Sequence, residues 1–203
     1  VEAGVLTASV LQAVHRAFTI ALILFGAVTL LYTVERTGAM DRIKHGFHAI
    51  SLDMRVQAVL VGFAFISLIE GASGFGTPAI VAAPLLMALG FRPIVAASLA
   101  LLGDTVAVTF GAVGTPLIVG LENLPNYSAE LVREVGMQVT IFDFVIGAMV
   151  PLLLVAVLVV GFKRKGERAQ WRHVWEVAPW TMMVGATYAL SAFVAVRWFG
   201  PEF

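Results

Sequence analysis

Three long runs without a single charge constrain this chain more than anything else in it. They are Ala17–Val34, Phe144–Phe162 and Val177–Val196. Between Val56 and Leu121 lies a longer apolar zone, interrupted only by Glu70, Arg92 and Asp104. A helix that crosses the roughly 30 Å hydrocarbon core of a bilayer needs about 20 mostly apolar residues. No period-two alternation runs through these segments, so they read as helices and not as barrel strands. Val5–Val14 is apolar enough to belong to a helix as well. Composition agrees: 60% of the residues are hydrophobic and 13% charged, against roughly 25% charged in soluble domains. The expected fold class is therefore an all-α, polytopic transmembrane helix bundle in a multi-pass membrane protein.

The formal net charge is zero, which argues against a nucleic-acid partner. With no cysteine, zinc-thiolate sites and thiol catalysis are excluded. The chain begins at Val1 and stops at Phe203 just after an apolar run. It is expected to be one transmembrane domain, 1–203, cut from a longer transporter.

The loops give a topology. Arg36, Arg42, Lys44 and Arg55 cluster in one connection, and Lys163, Arg164, Lys165, Arg168 and Arg172 in another, whereas Glu122–Glu134 holds one Arg and three Glu. The positive-inside rule makes the two basic connections cytoplasmic and the acidic one external. Met137–Phe162 then runs inward and Ala178–Trp198 outward. An odd number of crossings must separate Arg55 from Glu122. Three fit: Val56–Ala72, Pro78–Gly90 and Pro93–Leu121. Thirteen residues at Pro78–Gly90 rise only about 20 Å as a helix. The break before Pro78 is therefore expected below the membrane surface, in a broken or re-entrant helix. Irregular backbone at that depth must be buried in protein or line a watery cavity.

That break reads "EGASGFGTP", Glu70–Pro78, and part of it recurs. "GTPAIV" at Gly76–Val81 returns as "GTPLIV" at Gly114–Val119. Each copy follows a glycine-rich stretch and reads as a helix restart, with Thr77 and Thr115 expected as N-caps and Pro78 and Pro116 in the first helical position. Paired breaks in neighbouring segments are a pointer to a transporter binding site. Small residues that merely permit close helix packing are the alternative reading. A helix N-terminus offers unpaired N–H groups and a partial positive charge, and so binds anions without a cationic side chain. Gly74, Gly76 and Gly114 allow close backbone approach. Ser73, Thr77, Thr105, Thr109 and Thr115 add hydroxyls. The expected ligand is a small, oxygen-rich anion.

Rival motifs fail. Gly71 and Gly76 have P-loop spacing, but Thr77 stands where Lys is required; Gly74 and Gly76 are followed by Ala79, which breaks a dinucleotide fingerprint. Glu70 and Asp104 are the carboxylates within the apolar zone, and intramembrane carboxylates mark ion or proton pathways by default. Asp143 is expected near the external interface. His45 and His48 sit in a charged connection with no third ligand, so no metal site is expected. No nucleophile–base pair points to an enzyme.

The stretches "LIEGASGFGTPAIVAAPLLMALGF" (Leu68–Phe91) and "GDTVAVTFGAVGTPLIVG" (Gly103–Gly120), with "YTVERTGAMDRI" (Tyr32–Ile43) upstream, resemble the bacterial lactate permease family. The resemblance covers most of Ala17–Leu121 and is looser from Tyr127 onward. It implies proton symport of lactate or glycolate across the bacterial inner membrane, with no cofactor, by a much longer protein of 12 or more helices. Members of that family often carry Asn at the position of Asp104, which makes Glu70 the better candidate for the proton. An uncoupled small-anion facilitator and a purely structural membrane module are the alternatives. Membrane lipid is the obligatory partner, and a homo-oligomer is compatible with the pattern.

Overall fold

The computed structural model describes residues 2–74, 76–122, 124–162 and 171–200. Four of the basic residues that suggested topology, at 163–168, lie outside the described residues. The described chain is helical throughout. α1 is Glu2–Arg36 and α2 is Ala39–Ile50. α3 is Met54–Ser73, with a π-helical stretch at Leu60–Phe65. α4 is Thr77–Ala88 and α5 is Pro93–Ala107. A single 3₁₀ turn, Val108–Phe110, leads to α6, Gly111–Leu121. α7 is Ala129–Gly161 and α8 is Trp171–Trp198.

Four stretches of the described helices have the length and apolarity of membrane spans: α3, α5 with α6, α7, and α8. The chain is a polytopic helical membrane protein. α1 is one 35-residue helix, so the apolar runs expected at Val5–Val14 and Ala17–Val34 are a single element. Phe18 and Phe25 are exposed along it, as befits a surface that hydrocarbon solvates.

Polar contacts at the helix ends show which ends lie together. At one end, Arg55 at the start of α3 donates to the His173 carbonyl (2.9 Å) and to Glu176 (3.1 Å) at the start of α8. Arg55 also pairs with Asp53 at 2.6 Å, and that hydrogen bond holds the Asp53 carboxyl below its usual range. Gln57 of α3 donates to the Phe47 carbonyl of α2 (2.8 Å). Arg92, in the turn between α4 and α5, donates to the Phe162 carbonyl just beyond α7 (3.0 Å). At the other end, Arg133 of α7 donates to the Arg197 carbonyl of α8. The described residues that flank the two basic connections therefore share one end of the bundle, and Arg133 and Arg197 lie at the other, as the charge pattern requires.

The connection holding His45 and His48 is not a loop. It is the amphipathic helix α2, with His45 Nδ1 2.7 Å from the Asp41 carbonyl. Alternating polar and apolar residues at helical spacing put Met40, Ile43 and Phe47 against the core. Among the described residues no group of His, Cys, Asp and Glu could hold a metal. α7 starts at Ala129, earlier than the expected Met137, because Ser128 caps it by accepting from the Leu131 N–H. Asp143 is thereby carried well inside the span and is not interfacial. Its Oδ2 is buried without a hydrogen-bond partner.

The core joins α3, α4, α5 and α7 through Phe63, Ile66, Leu85, Leu86, Leu99 and Leu154. In lipid, such packing rests on close contact more than on expulsion of water. Two glycines set the closest approaches. A Cβ on Gly103 would lie 1.5 Å from the Gly62 carbonyl oxygen, and one on Gly185 would lie 2.3 Å from that of Ala148. Backbone therefore packs on backbone between α3 and α5, and between α7 and α8.

Candidate functional site

Both breaks have the same local build. Gly76 (φ 70°, ψ 9°) precedes Thr77–Pro78, and Gly114 (φ 72°, ψ 8°) precedes Thr115–Pro116. Left-handed backbone at these points is what Gly tolerates at no steric cost. Thr77 donates its hydroxyl to the Gly74 carbonyl (2.9 Å), and Thr115 donates to the Ala112 carbonyl. Neither threonine is the N-cap the sequence suggests. Each lies inside its restarted helix and turns its hydroxyl back onto the carbonyl three residues earlier; Gly76 holds the cap position of the first, and left-handed Gly114 precedes Thr115 in the second. In the second break Ala112 (φ 46°) and Val113 (φ 59°) are left-handed too. For such residues that costs about 1–2 kcal/mol each. Strain of this kind persists only where surrounding structure imposes it.

The surrounding structure here is the first break. A Cβ on Gly74 (φ 63°) would lie 2.6 Å from the Ala112 Cβ and 2.7 Å from its nitrogen. The two breaks, 38 positions apart in the sequence, press on each other. α4 runs from the junction toward the basic end, and its 12 residues rise about 18 Å, short of the hydrocarbon thickness. α6 starts at the same junction and runs to the acidic end. Two helix N-termini, partially positive, and the C-termini of α3 and α5, partially negative, therefore converge within the membrane.

Each broken helix carries a carboxyl in its last turn before the break: Glu70 on α3 and Asp104 on α5. Glu70 is 1% exposed. Near its carboxyl lie the Asp104 carboxyl and the backbone at Gly76. Gly111 supplies the floor, since a Cβ there would lie 2.6 Å from Glu70 Oε1. Asp104 Oδ2 in turn lies 3.5 Å from where a Gly76 Cβ would stand. Glu70 Oε2 and Asp104 Oδ1 are both buried without a hydrogen-bond partner. Two facing carboxyls can hydrogen bond to each other only with a proton on one of them.

The sequence candidates divide accordingly. Glu70, Gly74, Gly76, Thr77, Asp104 and Gly114 are brought to the junction, and Ser73 joins them, its hydroxyl 2.6 Å from that of Thr77. Thr115 is half-buried beside them. Thr105 is not: it is exposed on α5 and spends its hydroxyl on the Leu102 carbonyl (2.7 Å). α5 is still regular helix at that point, so the residue after Asp104 turns away from it. Thr109, in the 3₁₀ turn, is half-buried with no role evident from the geometry. Gly111 escaped sequence reasoning, although it opens the second glycine-rich stretch.

A cleft of about 830 Å³ lies between α3, the second break and α8. It is mostly apolar, with hydroxyls from Ser67, Thr187, Tyr188 and Ser191, and it reaches Gly71, the neighbour of Glu70. The spacing of Thr187 and Ser191, four apart on one face of α8, is the sequence signal for its α8 wall.

The whole chain, residues 1–203, matches the family model described as L-lactate permease. The chain belongs to the L-lactate permease family. Its relatives include the L-lactate permease of Salmonella typhi, 35% identical over 90% of this chain. The glycolate permease of Escherichia coli K12 is 34% identical over 93%, and the L-lactate permease of Bacillus subtilis 32% over 94%. The chain spans 31% of the length of each of these relatives. No solved structure matches it.

Proposed function

We propose that the chain is the part of a bacterial inner-membrane permease that holds lactate or glycolate and the proton transported with it. The observation that carries this reading is the convergence of two Gly-Thr-Pro helix restarts near a pair of carboxyls, Glu70 buried and Asp104 half-buried. The substrate carboxylate takes the N–H groups at the starts of α4 and α6, where the helix dipoles favour negative charge. Its 2-hydroxyl pairs with Ser73, Thr77 or Thr115. The proton resides on the Glu70–Asp104 pair. A buried charge of either sign is costly in a membrane, so an anion and a proton that arrive together cross at lower cost than either alone.

The packing of Gly74 on Ala112 favours a second reading, in which the breaks are only a packing device. Counterflow of labelled lactate by the full-length permease in proteoliposomes separates the two. Uphill lactate uptake driven by an inward proton gradient, abolished by Glu70→Gln with exchange retained, supports symport. Downhill flux indifferent to the gradient identifies an uncoupled facilitator. Transport unaffected by Glu70→Gln, Asp104→Asn and Gly76→Leu alike leaves the breaks a structural role.

A further inference from the structure

The second break is left uncovered on one side. Phe110 and Val113 line the cleft between α3 and α8, and Val113 is both left-handed (φ 59°) and 53% exposed. Irregular backbone at membrane depth is tolerated against protein or a watery cavity, but not against lipid. The walls of the cleft favour protein. Among the described residues no charged side chain lines it, and most of the lining is apolar. On α8 the lining runs from Met183 to Val196, about 20 Å of helix. That is long for a small anion and suits a helix lying alongside. Small residues recur four apart on both walls, Ser67 and Gly71 on α3 and Thr187, Ser191 and Ala195 on α8. In a membrane this spacing lets helices approach closely, with hydroxyls bonding across the contact. Thr187 and Ser191 donate to the Met183 and Tyr188 carbonyls (2.8 and 2.7 Å), which leaves their oxygens to accept. Ser67 is 7% exposed, and its Oγ has no hydrogen-bond partner, a cost that a polar group brought to the cleft would remove.

We propose that the cleft between α3 and α8 seats a membrane-spanning helix from the part of the permease outside these residues, and that this helix covers the second break. The chain spans 31% of the length of its relatives, so more than two-thirds of such a permease lies elsewhere. A segment of the same polypeptide is favoured over a second copy, because it reaches the cleft without the loss of translational and rotational freedom that joins two molecules. The seated helix packs its own small residues on Ser67, Gly71, Thr187 and Ser191. It gives Phe110 and Val113 the protein neighbour that their irregular backbone requires. The restarts then have a wall that residues 1–203 do not supply. The inference does not depend on which anion the restarts hold.

The test is thiol accessibility in a full-length permease. Residues 1–203 contain no cysteine, so Thr187→Cys and Ser191→Cys each report one position once any cysteine elsewhere in the permease is replaced. Both are challenged in proteoliposomes, with and without lactate, by a charged methanethiosulfonate and by membrane-permeant N-ethylmaleimide. The expected result is no labelling by either reagent, full labelling after unfolding in SDS, and the same protection in detergent-solubilised monomers. Thr187→Trp is expected to lower the unfolding temperature by several degrees, because the added ring displaces packed protein. Labelling by the charged reagent that lactate slows overturns the proposal and makes the cleft a watery substrate route; that result leaves the anion site at the restarts standing. Labelling by N-ethylmaleimide alone overturns it in favour of lipid. Protection that is lost in monomers overturns it in favour of a second copy.

Discussion

Replacing Gly103 by Ala tests whether backbone contact between α3 and α5 positions the carboxyl pair. The added Cβ would lie 1.5 Å from the Gly62 carbonyl oxygen, about 1.9 Å short of the 3.4 Å at which such contacts become ordinary. The obstacle is backbone on both sides, so no side chain can turn away to relieve it. α5 must move outward by a large fraction of that distance, and Leu99, Ile66 and Phe63 must repack around it. Overpacking of this kind costs about 1–3 kcal/mol, and here the upper end applies because a helix axis is displaced. Asp104 is the next residue and moves with Gly103. Catalytic groups misplaced by about 1 Å lose on the order of 100-fold in rate, and a comparable loss of lactate uptake is expected. Thermal unfolding of the full-length permease in detergent and uptake in proteoliposomes read the two effects. Gly120→Ala, where a Cβ meets nothing within 4 Å, is the control. Gly103→Ala with the wild-type unfolding temperature and uptake would refute the close approach and the positioning that follows from it.

Gly74→Ala should abolish uptake because its Cβ collides with Ala112, whereas Gly71→Ala, three residues earlier with nothing within 4 Å, should be tolerated; equal activity of the pair would show that the breaks do not touch. The Asp53 carboxyl is held below its usual value by Arg55, so the stabilisation this pair gives is complete above the unfolded value near 3.8 and lost only as pH falls through the lower folded value. Unfolding temperatures of wild type and Arg55→Met should therefore keep a constant difference from pH 8 to pH 5 and converge in more acidic buffer; convergence already by pH 6 contradicts the assignment. Thr187→Trp fills the cleft beside Gly71 from the α8 side. It should reduce uptake at least tenfold with the unfolding temperature intact if substrate approaches the junction through the cleft, and unchanged uptake excludes that route.

The sequence by itself determined that this chain is a helical membrane protein, because apolar runs of bilayer length leave the backbone no partner but its own helix. Charge in the connections fixed which helix ends lie together, and Arg55, Arg92 and Arg133 make contacts that agree. The repeated "GTP" words located both breaks, since glycine in left-handed backbone followed by Thr-Pro is local chemistry that no neighbour has to supply. Their capping was misjudged for the same reason: a threonine hydroxyl can serve an N–H ahead of it or a carbonyl behind it, and sequence does not say which. The placing of Asp143 failed on the start of α7, where Ser128 adds two turns that apolarity alone does not reveal. Only the tertiary structure decided that the breaks meet at Gly74 and Ala112, that Gly111 seats Glu70, and that Gly103 lets α5 bring Asp104 against it. These are contacts between segments far apart in the chain, made across glycines whose missing side chains are legible only once the opposing backbone is in place.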